Sequence, residues 1–299
     1  MRSWFNAIVL GTVLVAGAGR AGADVPPPPK PRLEWAPEWP RFRLWEYVGT
    51  AVVDSTSWYV RYRLVGSTPL KWQGQNFFDD TIRDWLRAGT PQGRARASRV
   101  SDVLTYAGYV VPFGVDLPVV LLGHRQLGVT WQLLMMDLEA NAVAGLINNT
   151  LFYEVGRGRP STPDCAVNPH YDEFCNKGSS SSFPSGHALL VATGAGLTCA
   201  HHLYLPIYGT PAADAAACAV MSAVTVATAV TRVMADRHYA SDALAGIAIG
   251  FGTGFGLPWL LHYRGGGAAA EARAAEAPRF TLVPFGGRAQ AGLGVVGVL

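Results

Sequence analysis

The sequence predicts an all-α helical bundle of about five core helices, membrane-embedded, with a short C-terminal β-hairpin-like tail. Three observations carry this. Hydrophobic residues make up 49% of the 299 and charged residues only 15%, where an ordinary soluble domain has about 25% charged. Two stretches carry no charge at all: 17 residues between Asp214 and Arg232, and 21 between Asp242 and Arg264. Apolar runs of about 18 or more suggest membrane spans. Further apolar runs, with helical rather than alternating character, fill the chain from Ser101 onward. The same composition excludes disorder. A net charge of +3 argues against nucleic-acid binding as the task. The mean hydropathy of +0.18 is too low for a chain that is mostly membrane, so a soluble periplasmic bundle stays open beside the embedded one.

The elements follow in order. Residues 1–23 read as a signal peptide: Arg2 is the positive n-region, Phe5 to Ala18 the apolar h-region, and Ala21-Gly22-Ala23 a small-residue cleavage site. The alternative is an uncleaved anchor. Residues 24–100 form a spacer and an amphipathic aromatic region. The spacer, Pro26 to Pro31, is extended polyproline. Trp35, Trp39, Trp45, Trp58, Trp72 and Trp85 follow, which suits an interface or a clamp on the core. Phe78, Ile82, Trp85 and Leu86 recur at helical spacing, with Asp79, Asp80, Arg83, Asp84 and Arg87 on the other face. Arg87, Arg94, Arg96 and Arg99 around Gly89, Pro91 and Gly93 read as a basic hinge. The core domain is 101–263, with helices near 101–123, 127–154, 187–205, 213–233 and 241–262. Asp116, Asp137, Glu139 and Asn141 interrupt the first two, and such groups belong in a bundle interior. Residues 264–299 are a linker and tail, where Phe280 to Val283 and Val295-Val296 flank glycine-rich turns as a hairpin.

Three clusters concentrate phosphate-binding and proton-transfer groups at helix ends: Gly156-Arg157-Gly158-Arg159-Pro160, Phe183-Pro184-Ser185-Gly186-His187, and Arg232-x5-His238-x3-Asp242. Each alone has an ordinary reading, as a C-cap, an N-cap or a surface pair. Together they form a site. Arg159 and Arg232 supply planar forked donors for phosphoryl oxygens. Ser185 and Gly186 present backbone N–H groups at a helix N-terminus. His238 is the nucleophile, with Asp242 expected on its second ring nitrogen. His187 is the general acid. The chemistry requires no metal or other cofactor. None of the four cysteines sits in a CxxC pair, which disfavours zinc. His124, His170, His201 and His202 read as loop or interfacial residues.

At these residues the chain resembles the type 2 phosphatidic acid phosphatase superfamily, which includes bacterial acid phosphatases and vanadium-dependent haloperoxidases. The family signature is K-x6-RP, PSGH and SR-x5-H-x3-D. Arg159-Pro160, Pro184 to His187, and Arg232, His238 and Asp242 match it in order, over roughly residues 101–262. Phe152 stands where the family has Lys, and Thr231 replaces the Ser before Arg232. The resemblance implies an all-α bundle and hydrolysis of a phosphorylated lipid, or a related phosphoester or diphosphate, through a phosphohistidine. Arg157 is the candidate to replace the lost Lys. A vanadate-dependent haloperoxidase, a phosphoryl or head-group transferase, and a weakened phospholipid-binding homologue are the alternatives.

Cys165 and Cys175, in the loop 155–186, are expected to pair in an exported protein, leaving Tyr171 to Phe174 on a rigid flap. Cys199 and Cys218 read as inert core. The expected partners are the lipid or phosphoester substrate and the membrane. If the mature N-terminus is outside, counting helices from 101 puts all three motifs outside. The expected location is therefore an inner membrane with the site facing the periplasm, although the arginines at 87–99 then break the positive-inside tendency.

Overall fold

The computed structural model describes residues 33–74, 78–175, 180–265, 279–287 and 290–298. The expected signal peptide and polyproline spacer lie outside these residues. The first helix, α1 (Leu44–Tyr59), was not legible in the sequence. It starts where Glu46 folds back on the backbone N–H and guanidinium of Arg43, and it continues as a π-helical turn, Val60–Leu64. The amphipathic segment forms α2 (Asp79–Leu86). Its charged face is divided: Asp79 is fully buried and Arg83 turns inward, while Asp80 and Asp84 are exposed.

The basic hinge is a correction. Thr90 accepts from Gly93 N at 3.1 Å, and Pro91 occupies the first helical position, where its missing N–H costs nothing. Arg94, Arg96 and Arg99 are therefore in the opening turns of α3 (Pro91–Val110), and the boundary at 101 cuts a helix. With its π-helical extension this rod reaches Gly123. Next come α4 (Leu127–Val155), ended by Gly156 in the left-handed conformation that glycine adopts freely, and the short α5 (Thr162–Val167). The core is completed by α6 (Gly186–Tyr204), α7 (Pro211–Met234) and α8 (Ala240–Pro258), the last winding on to Tyr263. In the tail, β1 (Arg279–Gly287) and β2 (Gln290–Val298) pair antiparallel, Arg279 opposite Val298 and Gly287 opposite Gln290.

Helix α6 is the centre, packed by α3, α4, α7 and α8. Its approach to α8 is backbone on backbone. Gly246, Gly250 and Gly254 recur every four residues, and Cβ atoms there would lie 2.6, 2.1 and 2.1 Å from the carbonyl oxygens of Ser185, Leu189 and Thr193. This small-residue seam is the way helices without a hydrophobic driving force between them gain dispersion contact. Gly250→Ala should cost about 1–3 kcal/mol through overpacking. Gly252→Ala, with nothing within 4 Å of its Cβ position, should be near neutral. Thermal unfolding of both variants in detergent checks the pair.

Outward faces are apolar: Val103, Val110, Val220, Val226, Leu244 and Leu260 are all exposed. Three rods, Pro91–Gly123, Pro211–Met234 and Ala240–Tyr263, are long and apolar enough to cross a bilayer. Length and an apolar exterior together make this a membrane-embedded bundle. The charges that interrupt it point inward. His201 Nε2 meets Asp137 at 3.0 Å, and His202 meets Asp214 at 2.7 Å and Asp116 at 3.3 Å. Both histidines are buried, which corrects their reading as loop or interfacial residues. Cys199 is also corrected: it is bonded to Cys218, tying α6 to α7, and Cys165 is bonded to Cys175 as expected.

Helix α1 changes the topology. Phe42 N bonds Gln132 at 2.6 Å and Asn149 bonds Ser57 at 3.0 Å, so α1 runs parallel to α4 for about 26 Å. Residues 33–43 thus sit at the end of the bundle away from the three motifs. There Trp39, Phe42, Leu133, Leu205 and Tyr263 share one core. The tryptophans divide accordingly: Trp39 is buried in this clamp, while Trp45, Trp58 and Trp85 are exposed. Helix counting from 101 left out this helix, which runs from one end of the bundle to the other.

Candidate active site

His238 lies in the turn from α7 to α8, and that turn is held from both flanks. Asp236 has a left-handed backbone (φ 57°), and its carboxylate takes Arg83 Nε and Nη2 at 2.6 and 2.7 Å and the Tyr171 hydroxyl at 2.8 Å. Arg237 bonds Asp172 at 2.8 Å and lies 3.5 Å from the centre of the Phe174 ring. The flap at 171–174 is therefore fastened to the residues beside His238. Fixing neighbours in this way fixes the ring.

The buried His238 bonds the Ser182 carbonyl through Nδ1 at 2.7 Å. A carbonyl only accepts, so Nδ1 carries the hydrogen and Nε2 the lone pair. Sequence reasoning gave that place to Asp242, and the structure corrects it. Asp242 is the third residue of α8 and caps its own helix: Oδ2 accepts from Tyr239 N at 2.9 Å and from Ser182 Oγ at 2.7 Å. Its action on His238 passes through Ser182. Burial, then the Arg232 and Arg159 guanidiniums, hold the imidazole well below its usual 6.5, so it is neutral.

Arg157 is a second correction. It is fully buried between the rings of Trp72 and Tyr239, 4.1 Å from each. Nη1 bonds Asp242 at 2.5 Å and Ser241 at 2.8 Å; Nη2 bonds Asp79 and Gly74 O at 2.8 Å; Nε reaches Gly74 O at 3.2 Å. Every nitrogen of the guanidinium is engaged, and nothing is left for a phosphate. Arg157 is the keystone that ties α2 and the loop after Gly156 to the start of α8.

Arg159 and Arg232 differ. Among the described residues both have a buried Nε without a partner, and both line a cavity of about 480 Å³ together with His238, His187, Gly186 and Ser181. Arg232 Nη1 reaches, among the described residues, Ser101 Oγ at 3.2 Å and Asp102 Oδ1 at 3.6 Å. Burial, then Arg237, push Arg159 down to about 10. Two desolvated cations with orphan donors on one wall form a receptor for an anion.

Gly186 and His187 open α6 on the same wall. Ser185 sits behind it, fully buried, its hydroxyl unpartnered and its N–H given to the Asp242 carbonyl at 2.9 Å. The side chain thus stays off the cavity. His187 Nε2 meets Asp102 Oδ1 at 2.9 Å. Asp102 had no signal in the sequence, because α3 contributes no motif. Phe152, in the position of the family's Lys, is on the wall, and so are Arg61 and Asp54 from the unforeseen α1 and its extension. Beyond the charged end the cavity follows α4 down to Asn149, Asn148, Gly145 and Asn141.

Residues 134–265 match the family model of the PAP2 superfamily. The chain is similar to the crystal structure of the first transmembrane PAP2 type phosphatidylglycerolphosphate phosphatase from Bacillus subtilis. That similarity has 19% identity and a TM-score of 0.44, over 73% of this chain and 94% of that one. No curated protein matches the chain.

Proposed function

We propose that this chain, of the PAP2 superfamily over residues 134–265, hydrolyses a phosphorylated lipid through a phosphohistidine on His238, without a metal. One observation carries the reading: two histidines and two guanidiniums with free donors share a cavity that leads from the charged end down between membrane helices. Arg159, Arg232 and the N–H groups opening α6 would hold the phosphoryl oxygens. The His238 Nε2 lone pair attacks phosphorus, the bond to the leaving oxygen breaks, and that oxygen takes a proton from His187. A water then gives its proton to the now neutral His187 and attacks phosphorus. The P–N bond breaks, releasing phosphate and restoring both rings. Burial, then Arg232, push His187 down to about 4 against the opposing pull of Asp102, so the acid role draws on the negative charge of the bound phosphoryl group to raise it.

Phe152 favours a weaker enzyme or a pure binder as the second reading, because it removes one cation from the transition state. Phosphate release from several lipid phosphates, measured with chelator present for wild type and Phe152→Lys, separates the two. Release by wild type is expected, with a gain of about tenfold or more in the variant. An inactive wild type beside an active Phe152→Lys would mean that the native site binds without turnover.

For the compartment, the Cys165–Cys175 disulfide at the motif end supports an oxidising, periplasmic face for the site. Residues 33–43, at the other end, then lie inside, which stands against cleavage after Ala23. Intact-mass measurement of the purified chain should find residues 1–23 still attached. Their loss would place the site on the inner face.

A further inference from the structure

Far from the catalytic cavity, three buried groups capable of holding a cation converge. Glu46 of α1, Glu139 of α4 and His262 at the end of α8 each offer one ligand atom, all within 4.8 Å of one another. Glu46 and His262 are at most 1% exposed and Glu139 is 8% exposed. His262 Nδ1 bonds the Pro40 carbonyl at 2.9 Å, so Nδ1 carries the hydrogen and Nε2 a lone pair. Among the described residues that lone pair has no hydrogen-bond partner, and it faces Glu46 Oε1 at 3.5 Å. Two acceptors pointed at each other repel unless something positive stands between them.

A proton is the simplest candidate, and the distance argues against it. A charge-assisted N–H···O bond closes to about 2.7–2.9 Å, well short of 3.5 Å. Two ligands on a tetrahedral divalent ion, each about 2.0–2.2 Å from it, stand roughly 3.3 Å apart, close to what is seen. The surroundings match those of a ligand set. A backbone carbonyl on the far nitrogen of the imidazole is the usual way a ligating histidine is oriented. Glu46 is likewise held from behind, by Arg43 Nη2 at 2.8 Å and Nε at 3.0 Å. Arg43 gives side-chain hydrogen bonds to Glu46 and acts on Glu139 only through space. Among the described residues Glu139 makes no ion pair, so a buried carboxylate is left over.

We infer that Glu46, Glu139 and His262 bind one divalent transition-metal ion, of the zinc or manganese kind, which clamps α1 and α4 to the end of α8. The site is structural: it lies at the end of the bundle away from His238, and it is independent of the phosphatase reading. Two carboxylate oxygens and one imidazole suit such an ion better than calcium or magnesium, which favour all-oxygen sets.

The test uses the full-length chain in detergent, stripped with chelator and dialysed against Zn²⁺ or Mn²⁺. Metal content by mass spectrometry should reach one equivalent per chain, and the thermal midpoint should rise relative to the stripped protein. Glu139→Gln and His262→Gln should each lose the bound equivalent and the rise in midpoint. Both should keep the wild-type rate of phosphate release per folded molecule at a temperature where they are stable. Stripped wild type that takes up no stoichiometric metal would overturn the inference. Either variant still holding one equivalent would overturn it as well. If one variant does not fold, the other and the wild-type stoichiometry still decide.

Discussion

Replacing His238 by alanine should lower phosphate release from a lipid phosphate on the order of 10⁴-fold or more, the scale seen when a covalent nucleophile is removed. The expectation rests on geometry more than on residue type. The Ser182 carbonyl fixes the tautomer that leaves Nε2 bare, and burial with two flanking arginines keeps the ring neutral. Without the imidazole, Arg159 and Arg232 still bind the phosphoryl group, so the residual rate belongs to direct attack by water. Rapid quench with a radiolabelled phosphoester should trap an acid-labile, base-stable phosphoenzyme in wild type and none in the variant. Ser182→Ala keeps the carbonyl and loses only the hydroxyl link to Asp242, so its loss should be far smaller. A His238→Ala enzyme with wild-type turnover would remove the nucleophile assignment altogether.

The same burial gives a stability signature. The folded value of His238 lies below the unfolded value of 6.5, so the stability tied to its neutral form is complete above that pH. It is lost as pH falls through 6.5 towards the folded value, because the unfolded chain takes the proton first. The thermal midpoint of wild type should therefore fall more steeply below pH 6.5 than that of His238→Gln. A parallel decline in the two proteins would show that another group dominates acid unfolding.

The helices of the core were legible because their apolar runs are long and end at glycine, proline or a charged cluster. The motif residues were legible because phosphate chemistry restricts which side chains can serve. What spacing could not give was partnership. Asp242 and His238 stand four residues apart, which suggests a helical pair, yet the helix begins between them and Asp242 turns to cap it. Arg157 and Arg159 are two residues apart on an irregular segment, so their side chains take opposite tasks. One is stacked and saturated inside the fold, and the other is bare on the cavity wall. Asp102 and Arg61 were silent because they come from helical segments that carry no motif. Helix α1 was missed because its apolar residues are interleaved with Glu46, Asp54 and Arg61, of which Glu46 is buried in the fold and the other two stand on the cavity wall. The glycines at 246, 250 and 254 were visible as a period of four, but their meaning needed the carbonyls of α6 opposite them.

His187→Ala should show an unequal loss across substrates. With Nε2 engaged by Asp102 at 2.9 Å, the proton for a leaving oxygen is the one on Nδ1 of the charged ring. An alkoxide of the glycerol kind is a poor leaving group and departs only with that proton, so loss of the ring should cost about 10²–10⁴-fold. An activated aryl phosphate departs as a stable phenolate and gains little from protonation, so its first step should be nearly spared. Asp102→Asn tests the same idea more finely. The amide cannot stabilise the imidazolium, so the basic limb of the pH–rate profile should move to lower pH while the aryl phosphate rate changes little. Because Asp102 also lies 3.6 Å from Arg232, a loss of phosphate affinity alone would raise KM on both substrates equally. Only a kcat effect that depends on the leaving group identifies the proton. Equal losses of kcat on alkyl and aryl substrates would leave His187 as a phosphate-binding residue at the start of α6, and the acid would have to be sought elsewhere on the cavity wall.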